Sequence, residues 1–204
     1  MVKNLTKFIS ICFFLFPNIS IANEKNPILN DISKDILRKY FDEINLIGEA
    51  NYSFLLWDIY DAQLYSSAKS FNKDRFALLL RYNKKISKER LVNETIDDMK
   101  EQKTLSKNQI DSWTRIFSNI YKNTQIGSRF LAIKMAEDKS IFFYNEKKIY
   151  ESSDKDFLYL FFNIWLRKDS KNPSFSKFQK GLTRRKKMRL LERASTLRNK
   201  SERN

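Results

Sequence analysis

Residues 157–166 form an apolar run that must be buried on nearly every side. Its apolar members include Phe157, Leu158, Leu160, Phe161, Ile164, Trp165 and Leu166. The run ends at Arg167-Lys168 and is far shorter than the roughly 20 residues needed to span a bilayer. It is therefore predicted to be a central core helix that other elements cover. Ser153 is predicted to begin this helix, with Asp154 and Asp156 in its first turn, where negative charge suits the exposed amides.

The segments before this run alternate between strand and helix periods. Residues 53–65 carry apolar side chains on both faces, and Asp58 and Asp61 interrupt them. This pattern predicts two strands with a bend or bulge near residue 58. Residues 76–82 predict a further strand, and residues 127–135 and 140–145 predict a hairpin with a polar turn at 137–139. A short additional pairing is predicted at Ile149-Tyr150.

Three further helices are predicted from spacing and capping residues. Residues 31–41 indicate a short helix, and Ser87 is predicted to cap another. Ser106 and Gln109 form a capping box that begins a third helix. The buried stripes of the last two helices are Leu91, Val92, Ile96 and Met99, and Ile110, Trp113, Phe117 and Ile120. The order of elements predicts an α+β domain with a largely antiparallel sheet.

Composition excludes several kinds of site. The chain has no histidine, three glycines and three prolines. Since histidine is the usual general base near neutral pH and the commonest metal ligand, its absence argues against hydrolase triads, zinc and haem. The scarcity of glycine excludes glycine-rich phosphate loops. We therefore predict no metal and no cofactor.

The two ends of the chain differ in character from the middle. Residues 1–22 have the layout of an export signal, with Lys3 and Lys7 before a short apolar stretch and Ser20-Ile21-Ala22 at its end. We therefore expect a periplasmic or secreted protein. Residues 23–41 form an N-terminal segment, residues 42–181 the domain, and residues 182–204 a basic tail.

The basic tail has two interpretations. Residues 184–203 hold nine Lys or Arg against Glu192 and Glu202, with apolar residues at near-helical spacing. One hypothesis is an amphipathic helix attracted to an anionic membrane surface; nucleic acid is the less favoured partner. A solvated, partly disordered tail is the favoured interpretation, because the apolar face is thin and lacks an aromatic anchor.

Several segments together resemble bacterial, exported members of the chalcone isomerase-like family. They are Gly48-Glu49-Ala50, residues 57–65, residues 77–82, residues 95–99, residues 142–145 and residues 161–166, in the family's order and spacing. The resemblance implies an open-faced sandwich, in which helices cover one side of a curved antiparallel sheet. It also implies a cleft between helices and sheet that holds a flat or elongated apolar ligand in members that bind one.

The residues used by the family's enzymes do not carry over. The enzymes' arginine follows a Gly-x-Gly-x-Arg stretch, whereas the matching segment here runs from Gly48 to Tyr52 without arginine. Leu55 matches the enzymes' threonine, and Lys88 and Thr95 fall near their helix tyrosine and asparagine. A fixed cation contributes much of the stabilisation of developing negative charge. We therefore assign no catalytic residue.

Some residues are candidates for lining a ligand cleft. Tyrosine hydroxyls give an apolar cleft polar groups, and arginine could hold a carboxylate at its mouth. As alternatives, the tyrosines are half-buried sheet aromatics, the arginines form structural ion pairs, and Asp58 and Asp61 serve turn geometry or ion pairing. The candidates are Tyr52, Tyr60, Tyr82, Arg81, Thr95 and Arg129.

The leading hypothesis is a non-enzymatic protein that binds a fatty acid or another small apolar or acyl ligand. The first alternative is an isomerase- or lyase-type enzyme of the same fold, in which tyrosines and Lys88 replace the arginine. The second is an interaction module that acts through the basic tail.

Overall fold

The computed structural model describes residues 30–54, 56–69 and 71–170. The predicted export signal at 1–22 and the basic tail at 182–204 lie outside these residues. In the described part of the chain, no helix combines the length and apolar character needed to cross a membrane.

Six antiparallel strands form one sheet in which spatial order follows chain order. The strands are β1 (Asn45–Phe54), β2 (Trp57–Ser66), β3 (Phe76–Tyr82), β4 (Arg129–Ala136), β5 (Lys139–Tyr144) and β6 (Lys147–Ser152). Within residues 30–170, four helices accompany them: α1 (Asp31–Arg38), α2 (Lys88–Gln102), α3 (Lys107–Ile120) and α4 (Lys155–Leu166). The predicted α+β class and largely antiparallel sheet are confirmed.

The two faces of the sheet are covered unequally. α2, α3 and α4 pack on one face, which we call the covered face, around fully buried aromatics such as Phe117, Phe142 and Phe161. α1 packs on the opposite face through Ile36 and Leu37. The alternation of strand residues separates the two sets, so β3 sends Leu78 and Leu80 to one core and Ala77 and Leu79 to the other.

Helix starts follow the predicted capping chemistry at two of three sites. Ser87 accepts from the amide of Arg90, and Ser106 and Gln109 form the reciprocal capping box of α3. The prediction that Ser153 begins α4 is wrong by one residue. Asp154 is the N-cap, because its carboxylate accepts a hydrogen bond from the Phe157 amide. Oδ2 of the same carboxylate also accepts from the indole N–H of Trp113 at 3.0 Å.

The first hairpin differs most from expectation. β1 begins at Asn45, well before the predicted strand, and the hairpin turn lies between Phe54 and Trp57. The register shifts where Tyr52 pairs with Tyr60 but Ser53 pairs with Asp58, which confirms a bulge near residue 58. The predicted division into two strands at that point is wrong, because β2 runs unbroken through it. The start of β1 was missed because it alternates poorly: polar and small residues occupy much of it.

Candidate functional site

A row of three tyrosines crosses β1, β2 and β3 on the covered face of the sheet. Tyr52 pairs with Tyr60, and Tyr60 pairs with Tyr82. The ring centroids are 5.0 Å apart in the first pair and 5.9 Å apart in the second. The row exists because each residue occupies the inward position of its strand at the same level of the sheet.

Polar groups from all three covering helices lie near this row. The indole N–H of Trp165 in α4 donates to the hydroxyl of Tyr60 at 3.1 Å. Thr95 in α2 donates from Oγ1 to the Leu91 carbonyl, and its Oγ1 lies 3.1 Å from the hydroxyl of Tyr121 after α3. Together the six residues form what we call the tyrosine cluster, composed of Tyr52, Tyr60, Tyr82, Thr95, Tyr121 and Trp165.

The phenols of the cluster are held in their neutral form. Burial raises the pKa of Tyr60 and of Tyr82 well above the ordinary value for tyrosine. Burial also raises the pKa of Tyr121, against a smaller lowering from its hydrogen bond with Thr95. These phenols are hydrogen-bond donors and acceptors near neutral pH rather than bases.

The hydroxyl of Tyr82 makes no hydrogen bond within the described part of the chain. The residue is only 4% exposed. Among the described residues, the fully enclosed side-chain polar atoms without a partner are Oγ of Ser140 and Nε of Arg167, so the Tyr82 hydroxyl keeps some contact with solvent. It is thus available to a ligand that reaches the row.

Tyr52 lies at the outer end of the cluster, beside the charges of α2. Partial burial raises the pKa of its phenol first, and the carboxylates of Glu94 and Asp98 raise it further, whereas Arg90 lowers it. The charged groups near this end are therefore mainly acidic. A ligand that enters here with a neutral polar group meets less repulsion than one that carries a carboxylate.

Arg81 and Arg129 do not join the tyrosine cluster. Both lie on the opposite face of the sheet, where they pair with each other in register. Arg81 lies 3.8 Å from Asp61, and Arg129 lies 3.7 Å from Glu146. Of the six predicted ligand residues, the structure brings Tyr52, Tyr60, Tyr82 and Thr95 together and places the two arginines elsewhere.

The two aspartates of β2 have different surroundings. Asp61 is 5% exposed and accepts hydrogen bonds from the side-chain amides of Asn51 and Asn83, besides its ion pair with Arg81. Asp58 is exposed and accepts from the hydroxyl of Ser53. This geometry supports the structural interpretation of both carboxylates.

An open polar hollow of about 330 Å³ lies between α2 and α4. Arg167 is its cation, but Nη2 of this side chain lies 3.3 Å from a Glu101 carboxylate oxygen and Nη1 donates to the Asp98 carbonyl. The remaining lining residues are Gln102, Tyr159, Asn163 and Asp169. These described lining residues supply neither the apolar walls of a lipid site nor an unopposed positive charge.

Sequence reasoning missed two members of the cluster. Trp165 was assigned only to the apolar core, and Tyr121 lies one residue past the predicted stripe of α3. One signal was present for each: a buried indole N–H needs an acceptor, and Tyr121 follows Phe117 by four residues, so it shares that helix face.

Comparison with known proteins identifies the fold. No family model matches this sequence, and no curated protein matches it. A crystal structure of a fatty-acid binding protein from Arabidopsis thaliana is similar, with a TM-score of 0.53, 11% sequence identity, and coverage of 67% of this chain and 87% of that chain. With its six-stranded antiparallel sheet covered by helices, the chain has the chalcone isomerase-like fold.

Proposed function

We propose that this chain is a non-enzymatic binding protein for a small apolar or acyl ligand, whose polar end is held by the tyrosine cluster. The observation that carries the proposal is the gathering of neutral hydroxyl and indole groups at one end of an otherwise apolar core. Ligand sites of this kind combine apolar walls with a few placed polar groups.

The similarity to a fatty-acid binding protein supports the same class of ligand. The cluster itself favours the neutral forms of that class, such as an ester, an alcohol or a protonated acid. None of its six members carries a charge near neutral pH, and Glu94 and Asp98 lie near its outer end. Among the charged groups that act on Tyr52, Arg90 alone is positive, so a carboxylate would lose water with little compensating charge from the described residues.

An altered enzyme is the weaker proposal. Phenols with raised pKa values are poor general bases, because proton abstraction requires the phenolate. Lys88, the lysine that would replace the arginine in such an enzyme, lies at the start of α2, where its backbone amide donates to the side chain of Asn123.

Export and bacterial family membership extend this proposal. The layout of residues 1–22 supports delivery to the periplasm or the exterior, and the segments that resemble the family in order and spacing support a bacterial branch of it. A membrane role for residues 184–203 is a separate proposal that rests on their charge.

The test is ligand identification by native mass spectrometry of protein purified without detergent, followed by titration with a panel of fatty acids and other apolar molecules. We expect a co-purifying apolar molecule, or a panel member that binds one to one. Tyr60→Phe should weaken binding about two- to tenfold, the range of one net hydrogen bond. The matched control is Tyr65→Phe, which removes the hydroxyl of a buried tyrosine on the opposite face. An empty protein that binds no panel member would contradict the proposal.

A further inference from the structure

The turn of the first hairpin exposes large apolar side chains. Phe54 is 52% exposed, Leu56 98% and Trp57 56%. Most large apolar side chains of this sheet are buried, so the exposure is local. Contiguous exposed apolar groups at a turn usually mark a surface that contacts another apolar phase.

Two neighbouring loops extend this apolar turn. The amide of Asn83 donates to the carbonyl of Ile59, which holds the loop after β3 beside the hairpin. The loop after α3 lies beside the loop after β3, because the hydroxyl of Thr124 donates to the Lys84 carbonyl. That third loop exposes Ile126, which is 69% exposed.

The same three loops are basic. Residues 54–58, 83–88 and 121–128 together contain four lysines and one acidic residue, Asp58; Glu89 follows in the first turn of α2. The ammonium of Lys84 lies 3.8 Å from the centroid of the Trp57 ring. We call this surface the loop end, defined by Phe54, Leu56, Trp57, Ile126, Lys84, Lys85, Lys88 and Lys122.

We propose that the loop end docks the protein onto an anionic lipid bilayer, with the hairpin turn entering the interface and the lysines facing acidic headgroups. Tryptophan and lysine are suited to this position: the indole is amphipathic, and a lysine stem lies along apolar groups while its ammonium reaches the headgroups. Lysines near an anionic surface add electrostatic attraction.

Charge favours a bilayer over a second copy of the chain. Two loop ends brought together would oppose four lysines with four lysines, whereas acidic lipids complement them. The tyrosine row lies directly behind the hairpin turn, since Tyr52 and Tyr60 precede and follow it on the same two strands. Docking here would bring the cluster near lipid, although the inference does not depend on ligand binding.

The test uses the full chain and vesicles of phosphatidylcholine with or without phosphatidylglycerol. Trp57 is the reporter, since Trp113 and Trp165 are buried. We expect its emission to shift to shorter wavelength with the anionic vesicles and the shift to disappear in Trp57→Phe. Leu56→Asp should lower the partition coefficient about tenfold, as expected for one apolar side chain.

Matched variants separate docking from general effects. Ile32→Asp alters a side chain with 58% exposure on α1 and should leave partitioning nearly unchanged. Lys85→Glu should weaken partitioning about fivefold or more, whereas Lys107→Glu, the same charge change on α3, should not. Circular dichroism would verify that each variant is folded.

Three results would overturn the proposal. Co-sedimentation without a Trp57 shift would assign binding to another part of the chain. Equal partitioning of Leu56→Asp and Ile32→Asp would exclude the hairpin turn. Self-association in the absence of lipid, abolished by Leu56→Asp, would identify a second copy as the occupant.

Discussion

The two faces of the sheet differ in the kinds of polar groups that accompany their buried apolar side chains. On the covered face, three helices enclose aromatic side chains, and the polar groups among them include neutral hydroxyls and the indoles of Trp113 and Trp165. On the opposite face, one short helix covers a smaller apolar patch, and ion pairs such as Arg81–Asp61 and Arg129–Glu146 lie beside it. Strand alternation, shifted by the bulges in the β1–β2 and β5–β6 pairings, sorts the strand residues between the two.

The difference shows where a neutral ligand site can form. A charge inside the covered face would lack water and a partner, and its desolvation would be costly. Hydroxyls can be buried there because they satisfy one another or remain available to a ligand. The arginines belong on the other face, where acidic partners are within reach.

The largest expected effect separates the two cores. Phe161 is fully buried and lies near the rings of Phe117, Phe142 and Trp165, so Phe161→Ala should lower the free energy of unfolding by about 4 kcal/mol. Phe143→Ala on the opposite face is the matched control and should cost less. Urea unfolding of both variants measures the difference; equal losses would show that the faces contribute alike.

A slightly smaller effect is expected at the buried carboxylate of the opposite face. Asp61→Ala leaves Arg81 without its ion pair and two asparagine amides without an acceptor, which should cost about 3 kcal/mol of unfolding free energy. Asp58→Ala, at an exposed aspartate on the same strand, should change stability little. Denaturant curves that rank the two variants in the reverse order would contradict the pairing.

Alkaline pH should lower the free energy of unfolding through a buried tyrosine of the covered face. The raised pKa of Tyr121 means that, above about pH 10, the unfolded chain releases a proton that the folded chain keeps. The free energy of unfolding should therefore fall as pH rises beyond this value. Below it, Tyr121 is protonated in both states and lowers the stability of the folded chain no further. Tyr121→Phe should make the fall shallower in stability measurements across this range. Tyr159→Phe removes an exposed phenol as the control, and equal slopes for both variants would refute the assignment.

The smallest effect concerns the helices that enclose the covered face. Ser106→Ala removes the capping box of α3 and should cost about 1 kcal/mol in thermal or urea unfolding. Ser118→Ala, inside the same helix, should be neutral or slightly stabilising, because alanine is the better helix former. A loss at Ser118 as large as that at Ser106 would mean that capping is not the cause.

Much of the fold could be predicted because its signals are local. The capping box at Ser106, the alternation of residues 76–82 and the apolar run at 157–166 each depend on neighbours in sequence. The start of β1 could not, since its pairing with β2 is what holds a segment with little alternation in an extended form.

The candidate site was predicted in part for the same reason. Alternation predicts that the tyrosines of adjacent strands lie on one face of the sheet. Which of their hydroxyls lie close together depends on the strand register and on how the helices pack. Register places Tyr60 beside both Tyr52 and Tyr82, and helix packing supplies Trp165 and Tyr121. The face occupied by Arg81 and Arg129 follows from their strands, whereas their acidic partners come from tertiary contacts.

The most direct test compares a long-chain fatty acid with its methyl ester in binding titrations from mildly acidic to mildly alkaline pH. A site built from neutral hydroxyls should bind the ester with constant affinity and should bind the acid more weakly as its carboxyl group ionises. A carboxylate that binds much more tightly than the ester at every pH would require a cation at the site and would contradict the neutral tyrosine cluster.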